Sequence, residues 1–206
     1  MARSADQRSP LALTVLALLI EEPMHPYLMQ RLIKQRGKDQ VVNVARSASV
    51  YQAIERLERA GLITVHEIAA APGKPDRIIY RITEQGRSTL YRWIDIMLSE
   101  PRREYPEFPA VLSVVMLHDP ARVRRLLQAR AETLTAQLAD LDTVSAEHVH
   151  LPRVALIEDT YRAAMLRAEL DWIRSIDADL HSGTLTWTEN EIITAAQRSR
   201  DAIADT

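Results

Sequence analysis

Residues 47–63 read SASVYQAIERLERAGLI, and the fold turns on them. Val50, Ala53, Ile54 and Leu57 fall at spacings of three and four, the period of a helix with one buried face. Gly61 follows where a C-terminal cap is needed, since glycine takes the left-handed backbone that closes a helix without strain. On a wheel centred on that stripe, Ala48, Gln52 and Arg59 point outward, and Ser49, Tyr51 and Arg56 lie on the flanks. The stretch is an amphipathic helix with a sharp end and a polar outer face.

Beyond Gly61 the period changes. Residues 62–70 are enriched in β-branched side chains, and residues 71–76, APGKPD, carry turn chemistry. Ile78, Tyr80 and Ile82 then alternate with Ile79 and Arg81, which predicts a β-hairpin. Thr83 caps a further helix, with Leu90, Trp93, Ile94, Met97 and Leu98 at helical spacing through Ser99. Upstream, Leu11 to Glu22 reads as a helix that is apolar nearly all round and therefore central, and Pro23 ends it. Pro26 occupies the first turn of a second helix, with an apolar stripe of Leu28, Leu32 and Ile33 running up to Gly37. Residues 38–44 connect it to the third helix. The order helix, helix, helix, hairpin, helix is that of a winged helix-turn-helix.

Residues 100–109 hold three prolines and a charge cluster, the composition of a hinge. It separates an N-terminal domain, 1–100, from a C-terminal domain, 101–206. Ala110 to His118 is almost wholly apolar, and Asp119-Pro120 then opens a helix to about Asp142 with a seam of Ala131, Leu134, Leu138 and Leu141. A second long helix, Pro152 to His181, carries Val154, Ile157, Tyr161, Ala164, Ala168, Trp172, Ile176 and Leu180 along one face. Two such helices predict an antiparallel hairpin. Thr188 and Glu191 have capping-box spacing for a last short helix. The fold class is mainly α with a small β-hairpin wing: an N-terminal winged helix-turn-helix and a C-terminal all-α dimerisation domain.

Charge divides along the same line. The net charge is −2, but residues 1–94 hold fourteen Lys and Arg against nine Asp and Glu, a net of +5, and residues 95–206 carry the balance of −7. The basic half is the candidate DNA-binding half. The absence of cysteine excludes disulfides, zinc ribbons, iron–sulfur clusters and thiol nucleophiles. The apolar run Leu11 to Ile20 is about half of what a bilayer crossing needs, so the reading is a cytoplasmic protein without a membrane partner.

Taken together, PYLMQ, SASVYQAIERLERAGLI and IIYRITEQGRSTLYRWI resemble the PadR family of bacterial transcriptional regulators. The resemblance is most specific around Tyr51, in Leu57-Glu58 running into Gly61-Leu62-Ile63, and in Tyr80, Thr83, Gly86 and Leu90. It covers roughly residues 10–98, and the EYPEFPAVLSVVML stretch with two long helices is similar to the Vir-type C-terminal domain of part of that family. Two places depart from the family pattern. His25-Pro26-Tyr27 stands where Gly-Tyr is common, and Ala48-Ser49-Val50-Tyr51 where Gly-Ser-Leu-Tyr is. The resemblance implies repression of transcription, relieved in many members by small aromatic or drug-like effectors.

The residues assign roles on that scaffold. Gln52 can read adenine through two hydrogen bonds, Ser49 and Tyr51 can fix the helix on phosphates, the role the resemblance implies for Tyr51, and Arg56 flanks them. Lys74 at the hairpin tip and Arg77 at the base of the returning strand reach backbone or minor groove. Lys34, Arg36 and Arg46 are read as ordinary surface charges near the third helix. One short helix reads few base pairs, so a homodimer on a pseudo-palindromic operator is expected, with half-sites about one helical turn apart. Trp93, Met97, Phe108, Met116, Tyr161, Met165 and Trp172 are candidates for an apolar effector pocket, against the plainer reading that they are core. His148 and His150 lack a helical metal spacing, and neither metal nor cofactor is expected. No phosphate loop, nucleophile elbow or histidine motif points to an enzyme. The rival reading is a winged-helix protein-interaction module without base readers.

Overall fold

The computed structural model describes residues 8–44, 47–71, 74–147 and 150–204. The chain divides into two compact units between Arg103 and Glu104. The first is built around α1, Pro10–Glu21. Ser9 caps it by accepting the Ala12 N–H at 3.1 Å, and Pro10 fills the first helical position, where no N–H is needed. Leu11, Ala12, Val15, Leu16, Leu18 and Leu19 are buried, so α1 is the central element that its apolar circumference calls for.

Around it pack α2, Pro26–Gln35, and α3, Ser47–Arg59, with α4, Glu84–Ser99, closing the unit. The stripe predicted for α3 is the buried one: Val50, Ala53, Ile54 and Leu57 all join the core. Gly61, at φ 71°, ends α3 in the double-bonded cap of a helix stop. Its N–H donates to Glu58 O at 2.8 Å, and the Leu62 N–H to Leu57 O at 2.9 Å. Thr83 caps α4 by accepting the Gly86 N–H at 3.0 Å, while its hydroxyl donates back to the Gly61 carbonyl at 2.7 Å.

The wing is an antiparallel pair, β1, Ile63–Ala71, and β2, Lys74–Ile82. Residues 74–76, read from the sequence as turn, belong to β2, where Ala71 pairs with Lys74. Pro75 is tolerated there because each strand of a two-stranded ribbon has an edge on which a missing N–H goes unnoticed. Met24 adds a bridge that the sequence did not reveal. Its N–H donates to Tyr80 O at 3.0 Å and its O accepts the Tyr80 N–H at 3.1 Å, which ties the turn between α1 and α2 to the wing. Glu22 and His25 each precede a proline and are extended, which holds Met24 in strand geometry.

The second unit begins with the short α5, Glu107–Leu112, and a 3₁₀ turn, Val115–Leu117. It is dominated by α6, Pro120–Glu147, packed on α7, Ile157–Ser182, and ends in α8, Glu189–Ala204. The predicted α6 seam holds: Leu134 and Leu141 are buried, and Ala131 and Leu138 pack beside Leu134. Polar pairs set the antiparallel register, Arg124 Nε to Asp177 at 3.0 Å, Gln128 Nε2 to Asp177 at 2.8 Å and Arg167 Nη2 to Asp142 at 3.3 Å. Trp187 Nε1 donates to the carbonyls of Met116 and His118, which fastens the chain before α8 to the 3₁₀ turn. Thr188 and Glu191 form the expected capping box at the start of α8.

Two expectations need correction. The segment Arg153–Leu156 is a 3₁₀ turn, so α7 begins five residues later than Pro152. The predicted α7 face is turned to the core only in its C-terminal part, at Ile176 and Leu180. Ala163, Leu170 and Ile173 are buried, joined by Leu166, Ile176 and Leu180, while Val154, Ile157, Tyr161, Ala164 and Ala168 are exposed. The helix is apolar on two sides, and spacing alone picked the bulkier one. Among the described residues no helix is long and apolar enough to cross a membrane.

Candidate nucleic-acid interface

Burial of one side of α3 fixes what the other side shows. Ala48, Gln52 and Arg56 are exposed, Tyr51 is 47 % exposed, and Ser49 is half-buried. Ala48, Ser49, Tyr51 and Gln52 lie in the first two turns of α3, the part that a recognition helix presents to the major groove. Arg56 Nε donates to the Gln52 carbonyl at 3.2 Å, so its guanidinium lies back along its own helix toward the same end. Lys74 starts β2, but its side chain lies outside the described residues, as do Pro72, Gly73 and Arg46. Arg77 is described and exposed on β2.

The α2 side of this surface was under-read in the sequence. Tyr27 is 65 % exposed, and Arg31 and Lys34 are exposed along the same helix, where they line a shallow groove with Gln30 and Gln35. His25 is the N-cap of α2: its Nδ1 accepts the Leu28 N–H at 3.1 Å, and its ring stacks near that of Tyr27 at 6.2 Å. Burial and the nearby Arg77 charge hold His25 below the usual histidine range, so the imidazole is kept neutral. The signal was present in His25-Pro26, an acceptor side chain immediately before a first-turn proline.

Arg36, read as a plain surface charge, makes a two-pronged pair with Glu21 at 2.5 and 2.8 Å. The bond to Arg36 keeps the Glu21 carboxyl below the usual carboxylate range. Both side chains are largely exposed, so the pair adds under about 1 kcal/mol and serves to join the end of α2 to the end of α1.

Residues 15–92 match the model of the transcriptional regulator PadR-like family. Over those residues the chain is similar to the PadR-like family. The outward α3 face, both strands of the wing and the Thr83 cap of α4 lie inside the matched segment, which runs from within α1 to within α4. Among solved structures, Bacillus subtilis PadR in complex with operator DNA superposes with a TM-score of 0.70 at 17 % identity, covering 84 % of this chain and 98 % of that one. The same protein in complex with p-coumaric acid gives 0.67 at 18 % identity, over 83 % and 98 %. The Vibrio cholerae virulence activator AphA gives 0.64 at 20 % identity, over 84 % and 98 %. At these identities the likeness is one of fold. No curated protein matches the chain by sequence.

The candidate effector residues are distributed over both units. Trp93 is 2 % exposed in the core around α1, and Met97 is partly exposed on α4. In the second unit Phe108 meets Trp172 edge to face at 5.9 Å, with the Arg130 guanidinium 3.7 Å above the Phe108 ring. Met116, Tyr161 and Met165 are exposed. His148 lies outside the described residues, and among those described no group of His, Asp and Glu is placed to hold a metal.

Proposed function

We propose that this PadR-like regulator acts in the cytoplasm as a homodimer that represses transcription from a pseudo-palindromic operator and is released by a small aromatic effector. The observation that carries the DNA reading is the outer face of α3: a helix locked by four buried side chains turns Tyr51 and Gln52 outward beside a wing bearing Arg77. Fluorescence anisotropy on duplexes from upstream of the chain's own gene, against scrambled controls and over a range of salt, tests it. Gln52→Ala is expected to weaken binding to the preferred duplex by about 1–3 kcal/mol and leave the scrambled duplex unaffected. Arg77→Ala is expected to weaken both and lower the salt slope by about 1. Equal losses from the two variants on every duplex would remove Gln52 as a base reader, and absence of any preference in the parent chain would favour the protein-interaction module instead.

The dimer reading rests on the side of α7 that α6 does not cover. Ile157, Tyr161 and Met165 step by four along it and are 65, 66 and 54 % exposed. A solvent face of a regular helix carries polar residues, so a row of large apolar ones marks a contact surface. A Tyr161→Glu chain is expected to sediment as a folded monomer where the parent sediments as a dimer, since an exposed position places little strain on the fold. A parent chain that sediments as a monomer would overturn the assignment.

For the effector, the second unit offers an aromatic corner, Phe108 and Trp172, with the Arg130 guanidinium over it, and an aromatic carboxylate would bind there by taking the place of Glu169, which pairs with Arg130 at 2.5 Å. The Bacillus subtilis PadR structure with p-coumaric acid makes hydroxycinnamic acids the first compounds to try. Loss of DNA binding on their addition, absent in a Phe108→Ala chain, is the expected result. A reporter under the operator decides the direction of control, which the fold leaves open because it is shared with an activator.

A further inference from the structure

Helix α2 is capped by an imidazole, where a hydroxyl, carboxylate or carboxamide usually does this work. His25 Nδ1 accepts the Leu28 N–H at 3.1 Å, sharing it with the His25 carbonyl at 3.0 Å, which requires that nitrogen to carry no proton. The cap is anchored on both sides. Pro26 follows it in the first turn, and Met24 before it exchanges two backbone hydrogen bonds with Tyr80 of β2. Among the described residues, its surroundings offer a second proton no counter-charge. From β2 comes the positive charge of Arg77, and α2 contributes its own N-terminal N–H groups and the neutral ring of Tyr27. The carboxylates of α3 that act on this region, Glu58 and Glu55, bear on the Tyr80 hydroxyl, which they and burial hold above the usual tyrosine range.

We propose that His25 is a positioning residue for the helix-turn-helix, capping α2 at neutral pH and releasing its first turn on acidification. Protonation turns Nδ1 into a donor facing the Leu28 donor and places a cation at the positive end of a helix beside Arg77. The direction of the effect follows from linkage. The folded chain holds His25 below its unfolded value, so it takes up fewer protons than the unfolded chain as pH falls beneath about 6.5. The stabilisation is therefore whole above that pH and declines below it. The consequence for DNA rests on the proposed function, because Tyr27 and Arg31 flank the same turn and move with it.

The test compares the parent chain with His25→Asn, which keeps a side-chain acceptor that does not titrate, and His25→Ala, which has none. Leu28 amide protection is read by hydrogen exchange at about pH 7.5 and 5.5, corrected for intrinsic exchange, without DNA. The parent is expected to lose about fivefold in protection on acidification, the Asn chain to hold its protection, and the Ala chain, left with the backbone acceptor of residue 25 alone, to be less protected than the parent at the higher pH and unchanged by acid. Parallel behaviour of the parent and Asn chains overturns the proposal. Anisotropy with a labelled random-sequence duplex then reads docking. A larger acid effect in the parent than in the Asn chain after allowance for the common electrostatic gain supports it, with the expected sign a relative loss of affinity. Equal effects overturn the coupling to docking. Absence of binding by every chain at every pH overturns the DNA reading, while the Leu28 result still decides the cap.

Discussion

Trp93→Ala is expected to lower the stability of the winged unit by about 3–5 kcal/mol, the range for emptying a buried aromatic site. Trp93 is 2 % exposed and lies in the core that α1 organises, among side chains from α3, α4 and the wing that are themselves fully buried. Such a site cannot collapse by shifting one neighbour, because α1 is packed against α3, α4 and β2 at once. Urea unfolding followed by amide exchange, reading α1 and α3 separately from α6 and α7, measures the loss and where it falls. The core of the second unit contains no part of the Trp93 cluster, so its exchange is expected to be unchanged. A loss below about 1 kcal/mol would show that the indole contributes little to the core and would restore Trp93 as a ligand-facing side chain.

The second large effect is expected from a single methyl group. A Cβ built on Gly86 would stand 1.9 Å from the Leu62 carbonyl oxygen and 2.8 Å from Ile82 Cγ1. The first of these is backbone, held in place because Leu62 O also accepts the Thr83 N–H at 3.0 Å. To admit the methyl, α4 has to withdraw from the end of α3, with the Thr83 cap drawn away from Gly61 and Leu62. Gly86→Ala is therefore expected to cost about 3 kcal/mol or more, at the upper end of overpacking. Gly61→Ala is the internal comparison: its Cβ would meet nothing closer than Gln85 Oε1 at 3.8 Å, so only the left-handed backbone is strained, for about 1–2 kcal/mol. Thermal unfolding of the two variants side by side gives the order. If Gly61→Ala proves the more damaging, the close approach of α4 to Leu62 is softer than the geometry implies.

Features with a period or a cap were the ones legible in the sequence. The α3 stripe, the Gly61 stop, the Thr83 cap and the Thr188–Glu191 box each involve residues within about one or two turns of one another, and each stands where it was read. The Met24 bridge was not legible, because a single residue paired with a distant strand has no period, though Glu22 and His25 around it are each kept extended by the proline that follows them. The N-terminal part of the α7 face was misread for a different reason. Both of its apolar sides satisfy helical spacing, and spacing says nothing about whether a stripe is covered by the same chain or left outside. At the interface, the outward residues of α3 were readable as the complement of the buried stripe. The cap role of His25 and the engagement of Arg36 by Glu21 depend on contacts between elements and were not.

The burial of α1 on nearly every side has a consequence for how the protein is made. Its partners α3, β2 and α4 all come after it in the chain, so during synthesis this most apolar helix emerges before them and is not fully covered until residues near Ser99 are out. At ordinary elongation rates that interval is on the order of ten seconds, long compared with helix formation or collapse. The helical hairpin of α6 and α7, made from neighbouring segments, closes almost as soon as it is synthesised. A polypeptide interrupted before α4 keeps the α4-facing side of α1 uncovered, which makes it a substrate for chaperones or a seed for aggregation.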